Sequence, residues 1–241
     1  MRTDYIDLYW LHNWDRTAPI AETMRALDDL VTAGKIRYIG LSDLPAWKVT
    51  EAQLLAECRG WTPAVALQIE YSLLARTVEG EYLDMARHLG LGVMPWSPLR
   101  NGFLSGKFSR TNTDPVDARR SSVAGEPTDT EHDVIDVLRA VAAEAGVTPA
   151  AAALSWVQHR PGVTSTLIGA RHLDQLRANL DAVDVHLTDA QTETLDKASA
   201  PQLGFPAQYA AHSRDLAFAG ATVDGVPSRL SPLLSASATR Y

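Results

Sequence analysis

Short apolar runs alternate with amphipathic stretches over about the first 200 residues. Tyr5-Ile6-Asp7-Leu8-Tyr9-Trp10-Leu11 is the first run, and it ends at His12. Pro19 then sits at a first-turn position, and Ile20, Met24, Leu27, Leu30 and Val31 recur at helical spacing until Gly34 stops them. A second run, Ile36 to Leu41, ends at Ser42-Asp43 and leads into an amphipathic stretch over about 45–57. Val65 to Tyr71 predicts a third strand, 79–88 a helix, and Leu91 to Trp96 a fourth strand closed by Ser97-Pro98. The polar stretch 101–129, rich in Ser, Thr, Asp, Arg and Pro, reads as a long mobile insertion. Helices are expected over 131–145 and from Thr148-Pro149 to His159, the second opening on a good cap and a good first residue. Val163 to Ile168 predicts a fifth strand, and 172–180 a helix with Leu173, Leu176 and Leu180 on one face. Thr188 with Gln191 has the spacing of a capping box for a helix to about 198, and from Pro201 the pattern reads as irregular tail.

Strands alternating with helices imply a parallel sheet with right-handed crossovers, and near-continuous apolar strands imply cover on both faces. A doubly wound dinucleotide fold would place a Gly-rich turn after its first strand. No G-x-G-x-x-G occurs, and Gly90-x-Gly92 precedes a strand instead of following one. The pattern therefore favours an α/β fold of the (β/α)8 barrel type, with about five βα units present where a closed barrel has eight. Residues 1–200 form the partial barrel in this reading, and 201–241 a C-terminal tail that either covers its mouth or is disordered.

Composition narrows the function classes. A formal net charge of -7 argues against non-specific nucleic-acid binding. The single cysteine, Cys58, excludes an internal disulfide and fits a reducing compartment. No signal-peptide pattern opens the chain and every apolar run is too short to cross a bilayer, so a cytoplasmic protein without membrane or nucleic-acid partners is expected. The seven histidines are scattered and no HExxH or cysteine pair is present, so no metal site is expected. Gly102 to Phe108 is one residue short of a phosphate loop and lacks its Ser/Thr.

The remaining chemistry lies at the strand ends: His12-Asn13, Ser42-Asp43, Gln68, Trp96-Ser97 and Gly169-Ala170-Arg171. An imidazole, a hydroxyl, an amide and a flat aromatic at one mouth suit a planar heteroaromatic ligand. Its ring would stack on Trp96 while a carboxamide bonds to Ser42, Asp43 or Gln68. Arg171 and the helix start after the last strand suit a phosphate.

At these residues the sequence resembles the aldo-keto reductase superfamily. The matching segments are Asp4 to His12, Gly34 to Ser42, Leu67-Gln68-Ile69-Glu70-Tyr71-Ser72, Pro95-Trp96-Ser97-Pro98-Leu99, Gly102 to Lys107, and Ile168-Gly169-Ala170-Arg171 with Gln175-Leu176 and Asn179-Leu180. They span about residues 3–198 in family order, and the Trp96 and Gly169 segments resemble the branch of bacterial NADP-dependent carbonyl reductases and potassium-channel β subunits. The resemblance implies NADPH-dependent reduction of aldehydes or ketones, with His12 orienting or polarising the carbonyl. It implies that Ser42 and Gln68 hold the nicotinamide carboxamide and that Trp96 stacks on the ring. Ser97, Leu99, Asn101 and Lys107, with Arg120, would line the pyrophosphate and its covering loop. Gly169, Arg171, Gln175 and Asn179 would bind the 2′-phosphate and adenine end.

Three departures bear on that reading. Asp43 stands where asparagine is common, and a carboxylate cannot donate to the carboxamide. Ala178 stands where a glutamate often precedes the asparagine. The resemblance implies that the first three strands of the barrel are missing: the family's acid tyrosine, with its lysine and aspartate partners, lies upstream of the histidine strand, where this sequence has only Met1 to Ile6. The alternative to an enzyme acting on a small carbonyl substrate is therefore a non-catalytic NADP(H)-binding remnant or a regulatory protein. An open barrel piece would also favour an oligomer or a complementary fragment.

Overall fold

Four of the apolar runs pair in sequence order as one parallel sheet: β1 (Ile6–His12), β2 (Ile36–Ser42), β3 (Ala64–Glu70) and β4 (Gly92–Trp96). The structure is a computed structural model that describes residues 2–112, 125–223 and 225–230. Its contacts divide into two units, Met1–Pro201 and Gln202–Tyr241. The crossover helices α1 (Ile20–Thr32), α2 (Ala46–Arg59) and α3 (Tyr82–His88) pack side by side. Met24 and Leu27 of α1 and Val49, Ala52 and Ala56 of α2 share one core with Ile39, Leu41, Leu67, Ile69 and Val93 of the sheet. Sequential strand order with all crossovers on one face is the arrangement of a barrel wall, whereas a doubly wound sheet reverses its order at a switch point.

The register contains one slip, and a helix side chain holds it. Ile39 pairs with Ala64, but Gly40 pairs with Ala66, so Val65 is an extra residue in β3. Gln53 of α2, only 8% exposed, clamps the slip: its Nε2 donates to the Ala64 carbonyl at 2.9 Å and its Oε1 accepts the Ala64 N–H at 2.8 Å. Beyond the slip, Ser42 stands level with Gln68, and Gln68 with Met94.

The expected fifth strand, 163–168, is only partly made. Val163 bridges Val93 in parallel, with Val93 N–H donating to Gly162 and Thr164 N–H to Val93. The next rung would need an N–H from Pro95, which has none. The Pro95 carbonyl accepts from Leu167 instead, while the Thr166 N–H turns to Gln158 Oε1. The sheet among the described residues therefore has four strands where five were expected.

A second core surrounds Tyr71, Leu73, Leu138, Trp156 and Leu195. It is built with α4 (Asp129–Glu144), α5 (Pro149–Gln158) and α7 (Asp189–Ala198), while α6 (Leu173–Asp181) packs against α5. Thr148 and Thr188 cap their helices as the sequence predicts, Thr188 in a capping box with Gln191. A further box, Thr128 with Glu131, starts α4. The stretch expected as a mobile insertion from residue 101 begins instead as an anchored segment. Arg100–Ser105 forms a 3-10 turn, and Phe103, Leu104 and Phe108 are buried in the second core. Arg110 then pairs with Asp129, Asp133 and Asp136 on one face of α4, and Arg139 donates to the carbonyls of Gly106 and Phe108. Leu173, Leu176 and Leu180 do share a face of α6, and that face is exposed.

A buried ion network ties the second core to the end of β3. Arg76 forks onto Glu79 at 2.8 and 3.0 Å and donates to Ser199. Arg160 Nη1 donates to both oxygens of Asp196, which also accepts the Trp156 indole N–H. The Tyr71 hydroxyl donates to Glu79 at 2.7 Å and accepts from Arg160. Burial, reinforced by the Glu79 carboxylate, pushes the Tyr71 phenol well above its ordinary value.

The unit 202–241, expected to be irregular, contains α8 (Ala207–Phe218) and a short hairpin, β5 (Thr222–Val223) with β6 (Val226–Pro227). Arg214 holds the hairpin by donating to the carbonyls of Val223 and Val226, and Ala219 ends the helix at φ 47°. No single helix among the described residues is long and apolar enough to cross a membrane.

Replacing Gln53 by Leu leaves the Ala64 N–H and carbonyl without that partner, which should lower the unfolding free energy by about 2–3 kcal/mol in urea titrations. A loss well below 1 kcal/mol would show that the slip holds without its clamp. Because the folded state keeps the Tyr71 proton more tightly than the unfolded chain does, its contribution is complete below the ordinary value of 10.0 and is lost as pH rises above it. Wild-type stability should therefore decline more steeply above pH 10 than that of Tyr71→Phe. Parallel declines would contradict the assignment.

Candidate functional site

The face of the sheet opposite the crossover helices carries the alternate residues. Trp10, Gly40, Ala66 and Gly92 lie at one level, and His12, Ser42, Gln68 and Met94 at the next. Glu70 and Trp96 pair one level further along. With neighbouring strands about 4.8 Å apart, the row from His12 to Met94 is about 14 Å across. Its floor is made of small residues, Gly40, Ala66 and Gly92, beside one large one. A Cβ on Gly40 would stand 2.4 Å from the Trp10 ring, so the indole lies directly on that glycine.

The backbone turns sharply where the strands end. Asn13, Asp43, Ser97, Arg100 and Asn101 all have left-handed φ, between 46° and 66°. Such residues cost free energy and persist where their surroundings hold them. Here the Asn13 N–H donates to the Ser42 carbonyl at 2.9 Å, and the Asp43 N–H to that of Gln68 at 3.3 Å. The Ser97 carbonyl accepts from Arg100, and its Oγ from the Asn101 N–H. Tyr82 of α3 donates to the Leu44 carbonyl, fixing the chain just after Asp43. Burial, ahead of all other causes, raises the Tyr82 phenol above its ordinary value.

Side chains converge on Asp43. Its Oδ1 accepts the Trp96 indole N–H at 3.0 Å, its Oδ2 accepts the Ser42 hydroxyl at 3.3 Å, and His12 Nε2 stands 3.5 Å from Oδ2. Asn13 Nδ2 approaches His12 Nδ1 at 3.5 Å, a contact that suits the tautomer in which Nδ1 accepts. Ser42 is 1% exposed, whereas the His12 side chain is 68% exposed. Gln68 is half-buried, and its side-chain amide has no hydrogen-bond partner among the described residues. Arg100 pairs with the Glu70 carboxylate one level beyond.

The other expected residues fall into two groups. Leu99 packs against the second core and Lys107 is exposed, its carbonyl accepting from Asn112. With Ser97 and Asn101 they belong to the kinked segment that follows β4. In the last group, Gln175 Oε1 accepts the Arg171 N–H at 3.0 Å, and buried Asn179 donates to the Gly169 carbonyl at 3.5 Å. Gln175 and Asn179 thus fold the exposed 169–171 loop onto α6. Arg120 lies outside the described residues.

The family model for the aldo/keto reductases matches residues 1–200. The chain belongs to that family. It is 38% identical over 187 residues to an oxidoreductase of Bacillus subtilis, YrpG, covering 78% of this chain and 56% of that protein. It is 33% identical over 241 residues to a Saccharomyces cerevisiae protein that carries an aryl-alcohol dehydrogenase name, AAD14, covering 99% of this chain and 61% of the relative. It is 32% identical over 216 residues to the aryl-alcohol dehydrogenase (NADP(+)) of Phanerodontia chrysosporium, covering 86% and 55%. The chain thus spans a little over half the length of these relatives. The family implies a (β/α)8 barrel, and its members generally depend on NAD(P)H.

Within this aldo/keto reductase sheet, the strand-end reading brings His12, Ser42, Asp43, Gln68 and Trp96 together. It misses Met94, Trp10 with Gly40, and the Glu70–Arg100 pair. Period-two alternation back from His12 and from Trp96 picks out Trp10, Met94 and Gly92, although each also reads as ordinary core. Gly40→Ala should cost about 1–3 kcal/mol by driving a methyl into the Trp10 ring. Thermal or urea unfolding checks this, and an unchanged midpoint would place the indole elsewhere.

Proposed function

We propose that the chain reduces aldehydes or ketones to alcohols with NADPH, binding the nicotinamide against Trp96 at the C-terminal edge of the sheet. The observation that carries this reading is Gln68. An uncommitted, half-buried amide level with Ser42, and one strand from the indole of Trp96, complements a carboxamide on a flat ring. The donor set fits the group. Gln68 can donate to the carboxamide oxygen, Ser42 can accept its N–H, and the Trp96 indole is fixed through its N–H. Arg171 and the backbone of the 169–171 loop suit the 2′-phosphate, with Gln175 and Asn179 shaping that loop. Ser97, Leu99, Asn101 and Lys107 follow β4 and suit the pyrophosphate.

When bound, NADPH supplies the hydride for the carbonyl carbon. The chain's own groups hold the carbonyl oxygen and bring its proton. His12, whose side chain is exposed, stands at the end of the row to do so. Trp14, after β1, and Trp47, in the first turn of α2, meet edge to face at 5.3 Å and offer aromatic surface for an aryl substrate. The name of the Phanerodontia relative makes aromatic aldehydes the first class to try. A second reading, NADP(H) binding without turnover, is favoured by one observation. The hydroxyls of Tyr71 and Tyr82, which follow β3 and precede β4, are committed to Glu79 and to the Leu44 carbonyl.

NADPH should quench tryptophan emission saturably, and Trp96→Ala should remove most of that quench. Flat emission at high NADPH would sink the cofactor reading. With a nitrobenzaldehyde, wild-type chain should oxidise NADPH, and His12→Ala should lower kcat at least about a hundredfold with NADPH affinity unchanged. Binding without any oxidation would favour the second reading.

A further inference from the structure

The three contacts of Asp43 do more than fill a strand end. We propose that Asp43 is a positioning residue that sets the hydrogen-bond polarity of the nicotinamide site. The inference rests on the cofactor reading above. A carboxylate only accepts, so the Ser42 proton points at Asp43 Oδ2, 3.3 Å away. Ser42 is buried, and its remaining lone pairs are all it offers a ligand. It therefore accepts an N–H and donates nothing, which leaves the uncommitted Gln68 amide to donate to a ligand carbonyl.

The same carboxylate fixes the Trp96 ring by its indole N–H and faces His12 Nε2 at 3.5 Å. One group thereby sets the orientation of the stacking ring, the direction of the serine hydroxyl and the facing of the imidazole. The left-handed backbone at Asp43, with its N–H on the Gln68 carbonyl, aims the carboxylate back across these strand ends. An amide of the same shape has one acceptor oxygen. If that oxygen takes the indole N–H, the NH2 faces Ser42 Oγ and His12 Nε2, and the serine proton turns outward. Asp43→Asn thus converts Ser42 from acceptor to donor with almost no change of volume.

The consequence is selectivity for a carboxamide over an acetyl group at the same ring position, because the acetyl group presents a methyl where Ser42 requires an N–H. Calorimetric titration of the full chain with NADP+ and with its 3-acetylpyridine analogue reads this without turnover. Wild type should prefer NADP+ by about tenfold. Asp43→Asn should narrow the preference to within about twofold, chiefly by gaining affinity for the analogue, and Ser42→Ala should narrow it by losing affinity for NADP+. In the ligand-free chain, the indole N–H resonance of Trp96, assigned with Trp96→Phe, should move on Asp43→Ala.

Binding with the wild-type preference retained in both Asp43→Asn and Ser42→Ala overturns the polarity assignment alone. An indole resonance unmoved by Asp43→Ala overturns the hold on Trp96. Failure of either dinucleotide to bind wild type overturns the cofactor reading, and the polarity assignment with it.

Discussion

Side chains alternate between the faces of a strand, so a parallel pair shifted by one residue would set a helix-facing side chain beside a site-facing one. Were the pairing of Ile39 with Ala64 continued without a slip, Ser42 would stand beside Leu67, which is buried against the helices. The extra residue Val65 moves the pairing on by one, so Ser42 meets Gln68. Ala64, the last residue before the slip, is held by both ends of the Gln53 amide. A polar side chain on a crossover helix, on the far side of the sheet, thus decides which residue of β3 enters the row.

From that register the rest follows in steps. The row His12–Ser42–Gln68–Met94 lies over a floor of Gly40, Ala66 and Gly92, and the Trp10 ring lies on Gly40. Above the row β1 and β2 end in left-handed residues, Asn13 and Asp43, whose N–H groups step across to the next strand, and Asp43 is the one that gathers side chains from β1, β2 and β4. Strain is concentrated at these strand ends, while the Arg76–Glu79 and Arg160–Asp196 pairs secure the second core close by. The arrangement separates a paired ionic anchor from a half-open row in which the Gln68 amide is uncommitted.

Much of this was legible in the residues. Each of β1 to β4 is an apolar run, and Thr148-Pro149 and Thr188 with Gln191 marked their helix starts because capping is local chemistry. His12, Ser42 and Trp96 stood out because each closes such a run. What was not legible depended on partners distant in sequence. Val163 to Ile168 has strand composition, but its pairing fails at Pro95, a property of its neighbour. The polar stretch after Asn101 hid Phe103, Leu104 and Phe108, three anchors outvoted by the residues around them. The irregular composition after Pro201 concealed a helix and hairpin held by Arg214. Asp43 looked like a poor partner for a carboxamide, and only the structure shows it turned toward Trp96, Ser42 and His12.

The central claim is that the register assembles a nicotinamide site from β1 to β4. A crystal structure of the chain with NADP+ tests it most directly. The account predicts the nicotinamide ring stacked on Trp96, its carboxamide between Ser42 and Gln68, and the 2′-phosphate at Arg171. A dinucleotide bound elsewhere, or a ring lying away from Trp96 with Gln68 still uncommitted, would contradict it.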